Sequence, residues 1–284
     1  MGQIIEFQGY KESKEKILEL RKSLEELIFE RDHLKFVVCK NLKTNYLLEF
    51  GVLENSLYRA YCKYLRLRRK KDLIQARLNR QEEVGMEEIE KQLDDEFGEY
   101  EEKLNQKIYD LSIAFKQAES DFLTDEDSNL IKKLYKGIVK RIHPDINPSI
   151  SEDQQDLFYK ATEAYENGDL TTIQIIFEIV SNDNMDDVDS LSPKTLKDEV
   201  KRLEDLIETI KNDIESIKTN PPYIWKIYLE DYDKTMEKRK ELNEKIDSYK
   251  EAIMLEELRI NDLLGYDYEW FGKKRSRKFN RIFN

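Results

Sequence analysis

The chain has 284 residues, of which 38% are charged, and a formal net charge of −12, with only nine Gly and five Pro. This length has room for two or three domains, and the high charge content with few helix breakers predicts long helices rather than a β-rich fold. Because two cysteines cannot form a disulfide framework and neither a membrane span nor a signal peptide is evident, we expect an all-α, cytoplasmic protein.

Residues 1–123 are predicted to form a helical, coiled-coil region. Apolar residues recur at steps of three and four over residues 17–38, with Arg31 as a charged residue within this seam. The pattern breaks over residues 39–51, which predicts a turn there. Two further amphipathic helices, joined by a tight connection at residues 83–85, are predicted to form a long antiparallel hairpin.

The first helix of this hairpin carries a run of basic residues on its outer face. Such a run raises the possibility of nucleic-acid binding. Acidic residues on the next helix are available as partners, so we expect ion pairs within the hairpin instead, and the acidic net charge also argues against nucleic acid. The basic residues are Arg66, Arg68, Arg69, Lys70, Arg77 and Arg80, and the candidate partners are Glu87, Glu88, Glu90, Asp94, Asp95 and Glu96.

A basic amphipathic helix is predicted from Leu130 to Ile142. Its apolar residues recur every fourth position, and its other face holds five positive charges without an acid. The helix is predicted to end at Ile142 or His143, because Pro144 disfavours the α conformation at the residue before it. The five residues, called the basic face below, are Lys132, Lys133, Lys136, Lys140 and Arg141.

A second amphipathic helix follows the tripeptide His143-Pro144-Asp145 after a polar loop. It is predicted to begin at Ser151 with a capping box, and Phe158 and Ala164-Tyr165 lie on its apolar face. With the basic helix, the tripeptide and this second helix, residues 124–180 resemble a J domain of the DnaJ co-chaperone family, and we call them the J-like unit. The arrangement predicts a pair of helices with the tripeptide at the turn between them.

The J-like unit departs from the family pattern at both ends. The family's first helix is not visible directly before Thr124, and its last helix is replaced by Gly168-Asp169-Leu170 with an apolar run that we predict to be helical. Gly137 also stands where the family often has Arg. No zinc-binding or glycine- and phenylalanine-rich region of the family is present, so the resemblance implies a specialised partner rather than general binding of unfolded clients.

The resemblance implies that the chain docks on an ATPase of the DnaK type and stimulates its ATP hydrolysis. The basic face would dock on an acidic surface, and His143, Pro144 and Asp145 would trigger hydrolysis. His143 is accordingly expected to be exposed. Lys and Arg on an open face steer encounter with an acidic partner, and Asp145 can form a charge-assisted hydrogen bond to a partner arginine.

Residues 181–191 are predicted to be a linker, because five of their first seven residues are acidic or Asn. Residues 192–266 are predicted to form a second antiparallel coiled-coil hairpin, in which the heptad seam over residues 196–217 pairs with a helix returning after Asn220-Pro221-Pro222; pairing between chains is the alternative. Residues 267–284 form a basic, aromatic tail whose role the pattern leaves open.

The chain shows no catalytic or metal-binding pattern. It has two His, no glycine-rich phosphate loop and no Cys/His cluster, so we expect a non-enzyme without a cofactor or metal. The predicted function is that of a J-domain co-chaperone, with coiled coils that target a client or partner that the sequence does not identify. The alternative is a coiled-coil scaffold or adaptor whose J-like unit is inactive.

Overall fold

The computed structural model describes residues 8–119, 124–181 and 193–265, and these residues form an all-α protein without strands. They divide into two compact units: residues 1–43 with 120–226, and residues 44–119 with 227–284. No helix in the described ranges is long and apolar enough to cross a bilayer. The helices are α1 Gln8–Asp32, a π-helical segment His33–Val38, α2 Cys39–Asn79, α3 Met86–Glu119, α4 Asp125–Ile142, α5 Glu152–Asn167, α6 Leu170–Ser181, α7 Pro193–Thr219, a 3₁₀ turn Tyr223–Trp225, α8 Lys226–Glu230 and α9 Tyr232–Leu263.

The turn predicted within residues 39–51 is wrong, because helical backbone continues through this stretch. The apolar pattern breaks there since the π-helical segment His33–Val38 inserts extra backbone and rotates the apolar face of the helix that follows. Gly51 is not a turn residue either. It lies inside α2, where a Cβ atom would stand 2.8 Å from Cδ1 of Leu111, so it allows α2 and α3 to approach closely.

The first unit is built on one apolar core to which α1, α4, α5, α6 and α7 all contribute. Here α7 packs along α1, and Ile17 and Leu24 of α1 are buried in the same core as Leu203 and Ile210 of the α7 seam. The sequence predicted that this seam would pair with the helix that returns after Pro222. In the structure the seam packs on α1 instead, and the returning helix α9 belongs to the other unit. A heptad seam requires an apolar partner but does not specify which one.

The second unit contains most of α2 together with α3, and ion pairs between these helices confirm the pairing predicted for four of the six residues of the basic run. Arg66 contacts Glu90 and Asp94 at 2.7 and 2.6 Å, and Arg77 contacts Glu88 at 2.9 Å. Arg69 likewise pairs with Glu96, and Lys70 with Glu90. These basic side chains are therefore neutralised within the hairpin.

The start and end signals read from the sequence are present in the structure. Ser151 caps α5 in a reciprocal capping box with Gln154, and the apolar run after Gly168 is helical as α6. Helix α7 ends at Thr219, before the two prolines. The predicted linker and the basic tail lie outside the described residues, apart from residue 181 at the end of α6.

Candidate partner-binding site

Helix α4 carries the first half of the candidate site, and the local sequence explains both of its ends. Thr124 is the N-cap, and its hydroxyl oxygen accepts a hydrogen bond from the backbone N–H of Asp127 at 3.1 Å. The helix ends at Ile142 because Pro144 excludes the α conformation at His143, whose backbone is extended with ψ 127°. The predicted end of this helix is therefore confirmed, and the helix begins at Asp125, five residues before the predicted Leu130.

The loop over residues 144–150 is held in place by hydrogen bonds and by one apolar side chain. The side-chain amide of Asn147 donates to the carbonyl oxygens of Lys140 and Arg141 at 3.1 and 2.8 Å, which satisfies the free C-terminal end of α4. Ile146 is buried in the core of the first unit. The tripeptide is consequently part of a fixed corner.

His143 is buried, with only 4% of its surface exposed, so the expected exposure of this residue is wrong. Its ring packs edge-on against Phe158, with the ring centroids 4.7 Å apart. Its Nδ1 accepts a hydrogen bond from the backbone N–H of Asp145 at 3.0 Å. The pKa of His143 is lowered from 6.5 to about 4, mainly because of burial; the charge of Asp32 opposes this shift and the charge of Arg31 adds to it.

The end of α1 supplies a charged network beside this imidazole. Asp32 is buried and accepts hydrogen bonds from the guanidinium of Arg31 at 2.8 Å and from the hydroxyl of Tyr135 at 3.0 Å. Nη2 of Arg31 also lies 3.5 Å from Nε2 of His143. Because Nδ1 accepts the Asp145 N–H, the neutral ring carries its proton on Nε2. A second proton would have to go on Nδ1, where it would face the Asp145 N–H and replace that hydrogen bond by a contact between two donors.

Helix α7 contacts the tripeptide from a second direction. Nη1 of Arg202 donates to the backbone oxygen of Asp145 at 3.1 Å, and the same guanidinium pairs with Glu199 at 2.8 Å. Glu199 in turn lies 3.5 Å from Arg21 of α1. The Asp145 carboxylate is 4.0 Å from Arg31, yet its side chain is 42% exposed. The carboxylate is therefore the part of the tripeptide that a partner can reach directly.

Three residues of the predicted basic face are exposed in the structure: Lys133, Lys136 and Lys140. Two of them also contact α1. Nζ of Lys140 lies 3.3 Å from a carboxylate oxygen of Glu25, and Nζ of Lys136 lies 5.7 Å from the ring centroid of Phe29. Among these three lysines, the contacts leave Lys133 the least engaged with α1.

The other two members of the basic face are only partly exposed. Lys132 is half-buried. Arg141 donates to the carbonyl oxygen of Gly137 at 3.0 Å, and its guanidinium lies 5.2 Å from the ring centroid of Phe177 in α6. Gly137 is glycine for a reason of packing, because a Cβ there would stand 2.5 Å from Cε2 of Phe177. An arginine at this position, as in the family pattern, would not fit.

The sequence did not identify three charged residues that complete the site: Arg31, Asp32 and Arg202. The sequence does contain an indication for Arg31, because a charged residue in an otherwise apolar seam requires a polar partner. Asp32 and Arg202 had none, since they lie in highly charged helices and far from the tripeptide along the chain.

No cluster of three or more His, Cys, Asp or Glu side chains in the described ranges could hold a metal ion. No protein-family model matches the chain, and no curated protein or solved structure matches it either. The function is therefore inferred from the residues of this site and from their geometry.

Proposed function

We propose that this protein is a J-type co-chaperone that docks on a DnaK-type ATPase and stimulates its ATP hydrolysis. The observation that carries the proposal is the corner between α4 and α5, where the His143-Pro144-Asp145 tripeptide is fixed and the Asp145 carboxylate remains open to solvent. The exposed lysines of α4 accompany this carboxylate on the same unit. A partner would meet the Asp145 carboxylate together with the positive charges of Lys133, Lys136 and Lys140.

Each part of the site has a distinct physical role in this proposal. Lys133, Lys136 and Lys140 steer the encounter with an acidic surface, because exposed charges accelerate association and set orientation. Pro144 and the hydrogen-bonded loop keep the corner in one conformation, which lowers the entropic cost of binding. Asp145 then forms a charge-assisted hydrogen bond to a cationic group of the ATPase. His143 acts in the closed corner as a buried support that accepts the Asp145 N–H.

The second unit and the remaining helices serve to target a client or partner in this proposal. The ion pairs between α2 and α3 leave Arg66, Arg69 and Arg77 engaged with acids. Binding of nucleic acid through this run is therefore disfavoured, and a protein partner fits better.

The competing function is a coiled-coil scaffold or adaptor whose J-like unit is inactive. A specific observation favours it: His143 is buried, and the backbone oxygen of Asp145 already accepts a hydrogen bond from Arg202. In this reading the tripeptide is a structural corner that anchors α1 and α7. The two functions differ in whether the Asp145 carboxylate has a role outside the chain.

Association with the cognate DnaK-type chaperone in its ATP state tests the proposal, with the chaperone immobilised and binding followed by interferometry. Asp145→Asn removes the charge and keeps the size of the side chain, so we expect binding to weaken by about tenfold or more. Asp156→Asn is the matched control, because Asp156 is an exposed acid on α5 with the same charge. Equal binding by both variants, or none by the wild type, would favour the scaffold.

A further inference from the structure

Helices α1 and α7 contact the tripeptide and the basic face mainly through charged side chains, and they share the apolar core of the first unit. The ion pairs and hydrogen bonds among these contacts join Arg31 to the Asp145 carboxylate, Arg202 to the Asp145 backbone oxygen, and Glu25 to Lys140. The seam between the two helices is instead formed by fully buried aliphatic side chains. The pair can therefore be expected to stay together when its contacts with the tripeptide change.

We propose that the α1–α7 pair masks the tripeptide, so that the ATPase engages it fully only after Arg31 and Arg202 release Asp145. This inference rests on the co-chaperone function proposed above and adds its regulation. At His143 the masking is close, because Nη2 of Arg31 lies 3.5 Å from Nε2 on a residue that Phe158 also covers and that is only 4% exposed. At Asp145 the masking is partial, because Arg31 lies 4.0 Å from one carboxylate oxygen and Arg202 holds the backbone oxygen, while the side chain stays 42% exposed.

The contacts that mask the tripeptide are of the kind that a partner can displace. One member of each ion pair is well exposed, since Lys140 and Asp145 are 52% and 42% exposed, whereas their partners Glu25 and Arg31 are 15% and 20% exposed. A solvent-exposed ion pair shifts an equilibrium by no more than about fivefold. An acidic surface that binds Lys136 and Lys140 would compete with Phe29 and Glu25 of α1 for the same side chains. Docking on the basic face would thereby weaken the hold of α1 on the tripeptide.

A variant of the full chain that loses these contacts tests whether the mask can be released. Glu25→Lys replaces the attraction to Lys140 by repulsion, and Arg202→Ala removes the hydrogen bond to Asp145. The matched control is Glu204→Lys, which breaks the 2.5 Å ion pair with Lys16 within the same two helices but touches no part of the tripeptide.

The first measurement needs no partner and reports the exposure of His143. Diethyl pyrocarbonate modifies accessible neutral imidazoles, and the chain has only two His, so mass spectrometry of the digested protein resolves each one. In the double variant we expect His143 to react about two- to thirtyfold faster, from the loss of attraction and the added repulsion. In the Glu204→Lys control we expect the wild-type rate. An unchanged rate in the double variant would overturn the masking.

The second measurement is stimulation of ATP hydrolysis by the cognate DnaK-type chaperone. The double variant should stimulate more strongly than the wild type, and the control should not. If all three proteins stimulate equally, the masking is refuted while the co-chaperone function stands. If none of them stimulates, and His143 is reactive in the double variant, the co-chaperone function itself fails and the inference fails with it.

A reversible cross-link tests the same inference in a single sample and does not depend on weakening the fold. Glu25→Cys and Lys140→Cys are introduced with Cys39→Ala and Cys62→Ala, and the two new thiols are joined by a bismaleimide that contains a disulfide. The locked protein should stimulate less than the same sample after reduction. Equal stimulation before and after reduction would contradict the inference, because the mask would then have no effect on the partner.

Discussion

A fall in pH from 7 to 5 should destabilise the first unit through His143. The ring is neutral in the folded protein, where its pKa is about 4, and it takes up a proton more readily in the unfolded chain, where its pKa is 6.5. Between these two values the unfolded state binds more protons than the folded state, so stability falls as the pH falls. The contribution of His143 is complete above pH 6.5 and is lost progressively towards pH 4.

The size of this effect follows from the two pKa values. A shift of this size corresponds to about 3 kcal/mol over the full titration, and about 2 kcal/mol of it is lost between pH 7 and pH 5. The charged groups that face the ring are Arg31, Asp32 and Asp145. The only other imidazole, His33, also has a lowered pKa, mainly through burial and then through the charge of Lys132, and it changes stability with the same sign.

Hydrogen exchange of the buried amides of α4 measures this loss, with rates corrected for the intrinsic effect of pH. In the wild type, the opening free energy should fall by about 2 kcal/mol or more between pH 7 and pH 5. His143→Asn keeps an acceptor near the Asp145 N–H but cannot be protonated, so this variant should lose most of the pH dependence. His33→Asn should keep it. A pH dependence that survives in His143→Asn would refute the buried, neutral imidazole.

Three further predictions follow from packing and charge. Gly137→Ala should destabilise the protein in thermal melts, because the added Cβ meets a ring of α6, whereas Gly98→Ala, with nothing within 4 Å of the added atom, should stabilise it by about 0.5–1 kcal/mol. Ile210→Ala should lower the free energy of unfolding in urea by about 2–5 kcal/mol, because this α7 side chain is buried, with 2% exposed. A loss below about 1 kcal/mol would contradict that burial. Reversing Lys133 and Lys136 to Glu should slow association with the ATPase, and the wild-type rate should fall as salt rises, because exposed charges are screened beyond about 10 Å at 0.1 M; a rate independent of salt would refute steering.

The helices of the J-like unit could be predicted because their signals are local. Thr124 and Ser151 cap the two helices, and Pro144 ends the first, each through contacts within a few residues. The apolar run of α6 was resolved as helix rather than strand because every other element is helical. Such features depend on backbone geometry that neighbouring residues determine.

The partners of the long helices could not be predicted, and the error about His143 has the same origin. The seams over residues 17–38 and 196–217 are both regular heptads, and each fits any apolar partner of similar length. The structure pairs them with each other, which brings Arg31 and Arg202 to the tripeptide. Burial of His143 is therefore a consequence of long-range packing that the local motif does not contain.

Gly137 shows how a departure from a family pattern can have a structural cause. From the sequence it removes a positive charge from the basic face. In the structure it lets α4 approach Phe177 of α6, an apolar helix that follows the Gly168 C-cap. The absence of a side chain at Gly137 is thus linked to the packing of α6 against α4.

Single-turnover ATP hydrolysis by the cognate DnaK-type chaperone tests the central claim most directly. The chaperone is preloaded with ATP and mixed with wild-type protein, Asp145→Asn or the exposed-acid control Asp156→Asn. The account predicts that the wild type and Asp156→Asn accelerate hydrolysis and that Asp145→Asn does not, while all three have the same helicity. Acceleration by Asp145→Asn equal to that of the wild type would contradict the account.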